Sequence, residues 1–473
     1  SLIDEILVPP DFGMIRESFK PLHQKLPAAF PVPFVIHIEE AHGQPEGQAN
    51  IEKLLSYFRR THGLKTVFLE GAWRKLDPEA LHFFDDADLN MKFLAELNRM
   101  GLAGGVELDL AAAASAKQGS ARETLPVVWG AEDLALYKKN LEQFREVYAN
   151  KAEAGLFLKK LRTKISGEVA RIFNPELRAF FKEWAFWEEI ADQRFAGLER
   201  LMKDAVSYLK VDLSDPAEQY DWPQLVRFFR LKALEKEGDR TDGSEQFEEK
   251  KLKTWLEEKQ LTDFFRDFDS VLRPASSSRV SDVRTQLETF YAVAVPRGFR
   301  FEEYPCLTRL TGISILSSEI QAEDLLRETA KLRGMILDKL ASSREEQNTV
   351  KRYREYLLLK KLFALEMTRE EYQQLDGGWH SAGNSEVKTP FSALHSSPGL
   401  QAAFSAALSF YKTATAREQI IFDKTLRKMR LLKESNAILV TGGFHSGGIA
   451  ELFRRNGVSY IRVSPRITKP ENP

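Results

Sequence analysis

Apolar runs of strand length lie toward the two ends of the chain. Near the start, FPVPFVIHI (Phe30–Ile38) runs into an acidic loop, and NIEKLLSYFRRTHG then carries Ile51, Leu54, Leu55 and Phe58 at helical spacing up to Gly63. KTVFLEGA (Lys65–Ala72) predicts a second strand and TLPVVWGAED (Thr124–Asp133) a third. The order β-α-β-α-β predicts parallel strands joined by crossover helices. At the far end, REQIIFDKTLRKMRLLKESNAILVTGGFHSGGIAELFRRNGVSYIRVSP reads helix, strand, loop, helix, strand.

Between about Ala131 and Thr389 the strand pattern is nearly absent. Segments such as EDLLRETAKLRGMILDKL repeat apolar residues at three- and four-residue steps, which predicts long amphipathic helices with solvated outer faces. Breaks at Glu235–Gln246, Arg273–Asp282 and Asp376–Pro390 read as loops, the last marking the return to strand grammar. The predicted fold is therefore α/β: a central, mostly parallel sheet built from residues 1–135 and 391–473, with a large all-α insertion at 136–390. Neither an internal repeat nor a low-complexity tract interrupts it.

Composition narrows the partners. The 473 residues and 54.0 kDa exceed one ordinary core. With 68 Lys+Arg against 69 Asp+Glu, the formal charge of −1 supplies no field to draw in a polyanion, so nucleic acid is not an expected partner. The single cysteine, Cys306, excludes an internal disulfide and a cysteine-rich zinc site. No run approaches the length of a transmembrane helix. The first residue is Ser1, and we read it as following a removed signal peptide, although a removed tag would leave the same start.

In an open parallel sheet, ligands bind beyond the carboxyl ends of the strands. The predicted strands end there in unusual chemistry: Glu39, Glu40, His42 and Glu46 after the first, Glu70 after the second, Glu132 and Asp133 after the third, and His445 behind Gly442 and Gly443. Each has an ordinary alternative. Asp133 reads equally as a helix N-cap, His445 as packing, Glu70 as a neighbour of a helix start, and Arg417 in TAREQ as a surface residue. The combination carries more, because acids gathered at one rim repel each other unless a cation or shared proton offsets them. His37 reads as a core residue, and His23, His62 and His82 as surface ones. His380 and His395 flank the returning loop as candidate lid residues. Trp73, Trp129 and Trp379 lie near the motif loops and suit either a pocket or packing. There is no phosphate loop, no HExxH and no nucleophile elbow; a serine hydrolase would have to use Ser446.

IEEAHG resembles the Glu-x-x-His-Gly signature of the erythromycin-esterase-like proteins, with Glu39 and His42 in the matching places. GGFH, with Gly442 and His445, has the Gly-x-x-His form of the TraB/Tiki group. With the ChaN-like haem-uptake lipoproteins, these groups form an α/β superfamily in which two similar halves face each other across a polar cleft. The resemblance covers about 70 residues at each end plus VVWGAED, and Glu39 stands where the Tiki pattern has glycine, which favours the esterase form. HIEEAHGQPEGQANI, FLEGA and the last motif also resemble a group of bacterial proteins that usually carry a signal peptide. The resemblance implies an extracytoplasmic setting, periplasmic or secreted; composition alone leaves the cytosol open.

These readings lead to an expected hydrolase of ester or peptide bonds. His42 would be general base or metal ligand, with Glu39 or Glu40 orienting it; Glu70 and Glu132 would complete the polar site. His445 would be a second base or ligand, and Arg417 would steady an oxyanion. A divalent metal, Zn or Mn in type, would be held by His42, Glu70 and His445 if one is used. The alternative is a non-catalytic protein binding haem or another small ligand, with His42 or His445 as axial donor.

Overall fold

Both Phe34, Ile36 and Ile38 on one side of the first strand and Val35 and His37 on the other are buried, as expected for a strand covered by helices on each face. The computed structural model describes residues 2–21, 33–40, 43–116, 125–189, 197–238, 244–261, 289–382 and 397–467. These residues form one six-stranded sheet: β1 (Gly13–Phe19), β2 (Phe34–Glu40), β3 (Thr66–Leu69), β4 (Val127–Gly130), β5 (Asn436–Gly442) and β6 (Ser459–Pro465). The order across the sheet is β1-β6-β2-β5-β3-β4, with β1 antiparallel to β6 and every other pair parallel. The expected α/β class and the mixing of both chain ends in one sheet are thus observed. Strand β1 was not expected. Its sequence, GMIRESF, has charges at Arg16 and Glu17, and only pairing at the sheet edge, where charged residues are tolerated, makes it a strand.

The strand order places a reversal at the centre. From β2 the chain crosses β5 to reach β3; from β5 it crosses β2 to reach β6. The two connecting helices therefore lie on opposite faces. Helix α1 (Pro45–His62), started by Pro45 and stopped by left-handed Gly63, buries Ile51, Leu54, Leu55 and Phe58 against one face, together with Val106 and Leu110 of α2 (Gly105–Ala116). The other face is covered by Ile449, Ala450 and Phe453 of the helix that follows β5, and by Ile421, Phe422, Leu426 and Met429 of a 35-residue helix preceding it. Loops that leave neighbouring strands toward opposite faces open a crevice at their carboxyl ends.

Among the described residues, none from 131 to 435 is in a strand, and helix follows helix as the periodicity predicts. In order they include α3 (Leu134–Ala149), α4 (Arg369–Ala382) and the long α5 (Pro398–Leu432); α6 (Gly443–Arg455) then follows β5. The helical part has its own cores, and Leu400, Ala403, Phe404, Ala407 and Tyr411 of α5 belong to one of them. Further along the same helix Ile421, Phe422 and Leu426 pack on the sheet. The change from insertion to sheet layer thus takes place inside α5 and not in a loop near residue 390. Residues 376–382, expected in a loop, continue α4, because the preceding apolar spacing carries the helix through Gly377 and Gly378. Residues 383–396, with His395, lie outside the described residues.

Candidate active site

Arg417 was expected near the opening of a helix; it lies in the middle of α5, on the same stripe as Ala414 and Ile421, and is buried. Its guanidinium reaches the ends of two strands. Nη2 donates to Glu70 Oε1 at 2.8 Å and to the Glu132 carboxylate, Nε donates to both Glu132 oxygens at 3.1 and 3.2 Å, and Nη1 donates to Asn140 Oδ1 of α3 at 2.8 Å. Tyr137 offers its ring face 5.6 Å from the guanidinium carbon. Glu132 is wholly buried, and its backbone carbonyl accepts from Lys424.

Glu70 links this cluster to the β5–α6 turn. Its Oε2 accepts from the Gly442 N–H at 2.7 Å, and its Oε1 lies 3.1 Å from His445 Nε2. The other ring nitrogen, Nδ1, stands 3.7 Å from Glu418 Oε1, an ion-pair distance longer than a hydrogen bond. Glu418 in turn binds Arg369 at the start of α4. Gly448 makes this contact feasible: a Cβ there would fall inside the Glu418 carboxylate and the Arg369 guanidinium, whereas at Gly447 the nearest atom is 3.8 Å away.

Three carboxylates (Glu70, Glu132, Glu418) thus meet two guanidinium groups (Arg417, Arg369) and one imidazole. Within this set the charges sum to zero with the ring protonated, and the Lys424 ammonium adds a further cation at the Glu132 carbonyl. Burial opposes the charge on His445, but Glu70 and Glu418 outweigh it, and the pKa is pushed up to about 9. Burial would likewise raise Glu70, yet His445, Arg417 and the Gly442 N–H hold its carboxyl well below the usual range. His37 behaves in the opposite way. It is fully buried beside Thr441, whose Oγ1 is 2.8 Å from Nε2, and burial, with the charges of Arg462 and His445, pushes it down to about 3, so the ring is neutral.

The expected residues therefore divide. Glu70, Glu132, Arg417 and His445 come together in one sealed cluster with 0–8% side-chain exposure. Glu39 faces the same side of the sheet but binds Ser464 and lies 3.4 Å from Arg462. Glu40, one residue on, points to the opposite face, where its Oε1 accepts from Gln48 at 3.0 Å. His42 lies outside the described residues; Glu40 and Gly43 on either side of that segment are at the rim. Asp133 is the N-cap of α3, accepting from Leu136 N at 3.0 Å, and Glu46 is in the first turn of α1. His62 is half-buried rather than on the surface, and His82 is exposed. Ser446 is 1% exposed, so it is no accessible nucleophile. Glu418, Arg369 and Asn140 were missed, although Glu418 falls beside Arg417 on an otherwise apolar stripe of α5, a pattern that signals a buried charge.

Of the three donors that the sequence suggests for a metal, Glu70 and His445 lie against each other here, and His42 lies outside the described residues. Both Glu70 oxygens accept hydrogen bonds, and His445 Nε2 faces Oε1. Among the described residues no group of three or more His, Cys, Asp or Glu is arranged to hold a metal ion. Comparison with protein-family models, with curated proteins and with solved structures finds no match.

Proposed function

We propose that the chain is a hydrolase of ester or peptide bonds, acting at the carboxyl rim of the sheet where β2 and β5 part. The observation that carries this reading is the buried cluster of Glu70, Glu132, Arg417, His445 and Glu418 at that rim. Taking so many charges out of water costs more than their mutual attraction reliably returns, and well-packed apolar residues would stabilise the fold as well or better. Perturbed titratable groups at strand carboxyl ends are also where active sites concentrate.

Roles follow from protonation. His445, held as imidazolium, is a poor base. Together with Arg417 it keeps Glu70 ionised, and Glu70 pins the turn through the Gly442 N–H. The base is then His42, whose ordinary pKa of about 6.5 suits proton transfer near neutrality. This course needs no metal. The first turn of α6 adds backbone N–H groups that can receive an oxyanion. The likeness of IEEAHG and GGFH to the esterase-like and TraB/Tiki groups supports the same reading, and the likeness to proteins with signal peptides supports an extracytoplasmic location.

The test is turnover of an aryl-ester panel and a fluorogenic peptide library by wild type, His42→Ala and Glu70→Gln. Wild type should hydrolyse at least one substrate class, and loss of the base should lower kcat/KM by roughly 100-fold or more. Turnover that survives His42→Ala, or none above buffer, removes the proposal. A hemin titration of the same protein tests the alternative, a non-catalytic binder, which the open cleft described below favours; metal analysis of chelator-free protein tests the metal-free course.

A further inference from the structure

On the face opposite the ion cluster, residues 71–77 and the start of α2 enclose a cleft of about 640 Å³, within the range typical of small-molecule sites. Its first wall begins one residue after Glu70. Gly71, in left-handed conformation, turns the chain outward, and the loop is then tied to β4: Gly130 N donates to Arg74 O at 2.8 Å and Glu132 N to Ala72 O at 2.9 Å. Gly130 permits this, since a Cβ there would overlap the Ala72 carbonyl. The loop is therefore held against the strand ends and does not depend on a ligand for its shape.

The cleft has a distinct polarity. Trp73 lines it with 43% of its surface open, and Ala72, Leu76 and Leu81 add apolar area. Arg74 and Lys75 are exposed and, among the described residues, neither is paired with a carboxylate; Lys75 only lies 5.9 Å from the Trp129 ring. The acids present are occupied: Asp77 accepts from Glu79 N at 3.1 Å, and Glu107 accepts from Gly104 N at 3.1 Å. Burial and the nearby Glu40 also push the Glu107 carboxyl up, toward its neutral form. Lys75 is turned toward Trp129, which packs on the α5 face, so Arg74 is the cation that, unpaired among the described residues, stands beside the open indole and leaves room for an oxyanion attached to a ring or aliphatic part.

We propose that this cleft, between the Gly71–Asp77 loop and α2, binds the anionic end of the substrate, a small molecule carrying a carboxylate or phosphate next to an apolar group that lies on Trp73. As an assignment of substrate class this rests on the hydrolase reading; as a binding site it does not. The test separates the two. Calorimetric titration of the full chain uses phenyl phosphate, phenylacetate, benzyl alcohol and inorganic phosphate, with wild type, Arg74→Glu and Trp73→Ala, both changes being at exposed positions. In parallel, kcat/KM is compared for a monoaryl succinate and the neutral aryl pentanoate. The expected result is saturable binding of phenyl phosphate or phenylacetate, weakened about 10-fold by either substitution. Benzyl alcohol and inorganic phosphate should each bind less tightly than the combined probe. If esters are turned over, the succinate should be preferred, and Arg74→Glu should remove the preference through KM. Binding with no turnover of any ester keeps the cleft and overturns the hydrolase. Turnover without anion preference, or binding indifferent to both substitutions, overturns the cleft.

Discussion

The protonation of His445 can be tested by removing the ring and following stability against pH. The folded chain keeps a proton on His445 that the unfolded chain releases above pH 6.5, so stability is whole below 6.5 and is lost as pH rises through about 9. Each pH unit between the two pKa values is worth about 1.4 kcal/mol, so the rise from 6.5 to about 9 corresponds to about 3 kcal/mol. That is a sizeable share of the roughly 5–15 kcal/mol by which domains are stable. The comparison is wild type against His445→Gln, which cannot titrate, by urea unfolding at several pH values from about 6 to 9.5. Subtracting the two curves cancels the groups that do not feel the His445 ring. The difference should shrink by about 3 kcal/mol toward high pH, and ring NMR of wild type should give the matching titration. A flat difference, or one that grows with pH, would mean that the buried ring is neutral. His445 would then be available as a base or ligand, and the assignment of roles above would fall.

Arg417→Met leaves Glu70 and Glu132 buried without their cation and should cost about 3–5 kcal/mol, with partial recovery when Glu132→Gln is added, measured by denaturant unfolding. Gly448→Ala should destabilise by about 1–3 kcal/mol, because its methyl meets the Glu418 and Arg369 side chains. Gly447→Ala, whose methyl would meet its nearest neighbours at ordinary van der Waals distance, should be neutral or stabilise by up to about 1 kcal/mol, and thermal melts of the two variants separate the cases. Glu70→Gln should bring the His445 pKa down from about 9 in the same NMR titration, since the nearest carboxylate charge is gone.

Local pattern was enough for the strands buried on both faces. Phe34–Ile38, Thr66–Leu69 and Ile438–Val440 are apolar on both sides of the sheet, and that composition is visible without any knowledge of their neighbours. Amphipathic spacing likewise marked the helical middle, and acids and histidines behind strand ends marked the rim. Other features depended on partners distant in the chain. GMIRESF is a strand only because β6 pairs with it, and Arg417 is buried only because a 35-residue helix passes over the sheet. Whether Glu39 and Glu40 share a site was legible in principle: adjacent strand residues point to opposite faces, so at most one of them faces the ion cluster. Which one does so depends on which face α5 and α6 cover.

The residues at the rim and their chemical types were therefore set by the linear order of amino acids, through periodicities of about two and 3.6 that each segment carries alone. Their charge states were not. The proton on His445 and its absence from His37 arise from burial and from charges contributed by residues remote in the chain, such as Glu70 and Glu418 for the first and Arg462 for the second. Electrostatic energy depends on distance and solvent access, and only the folded arrangement of β3, β5, α5 and α6 supplies those.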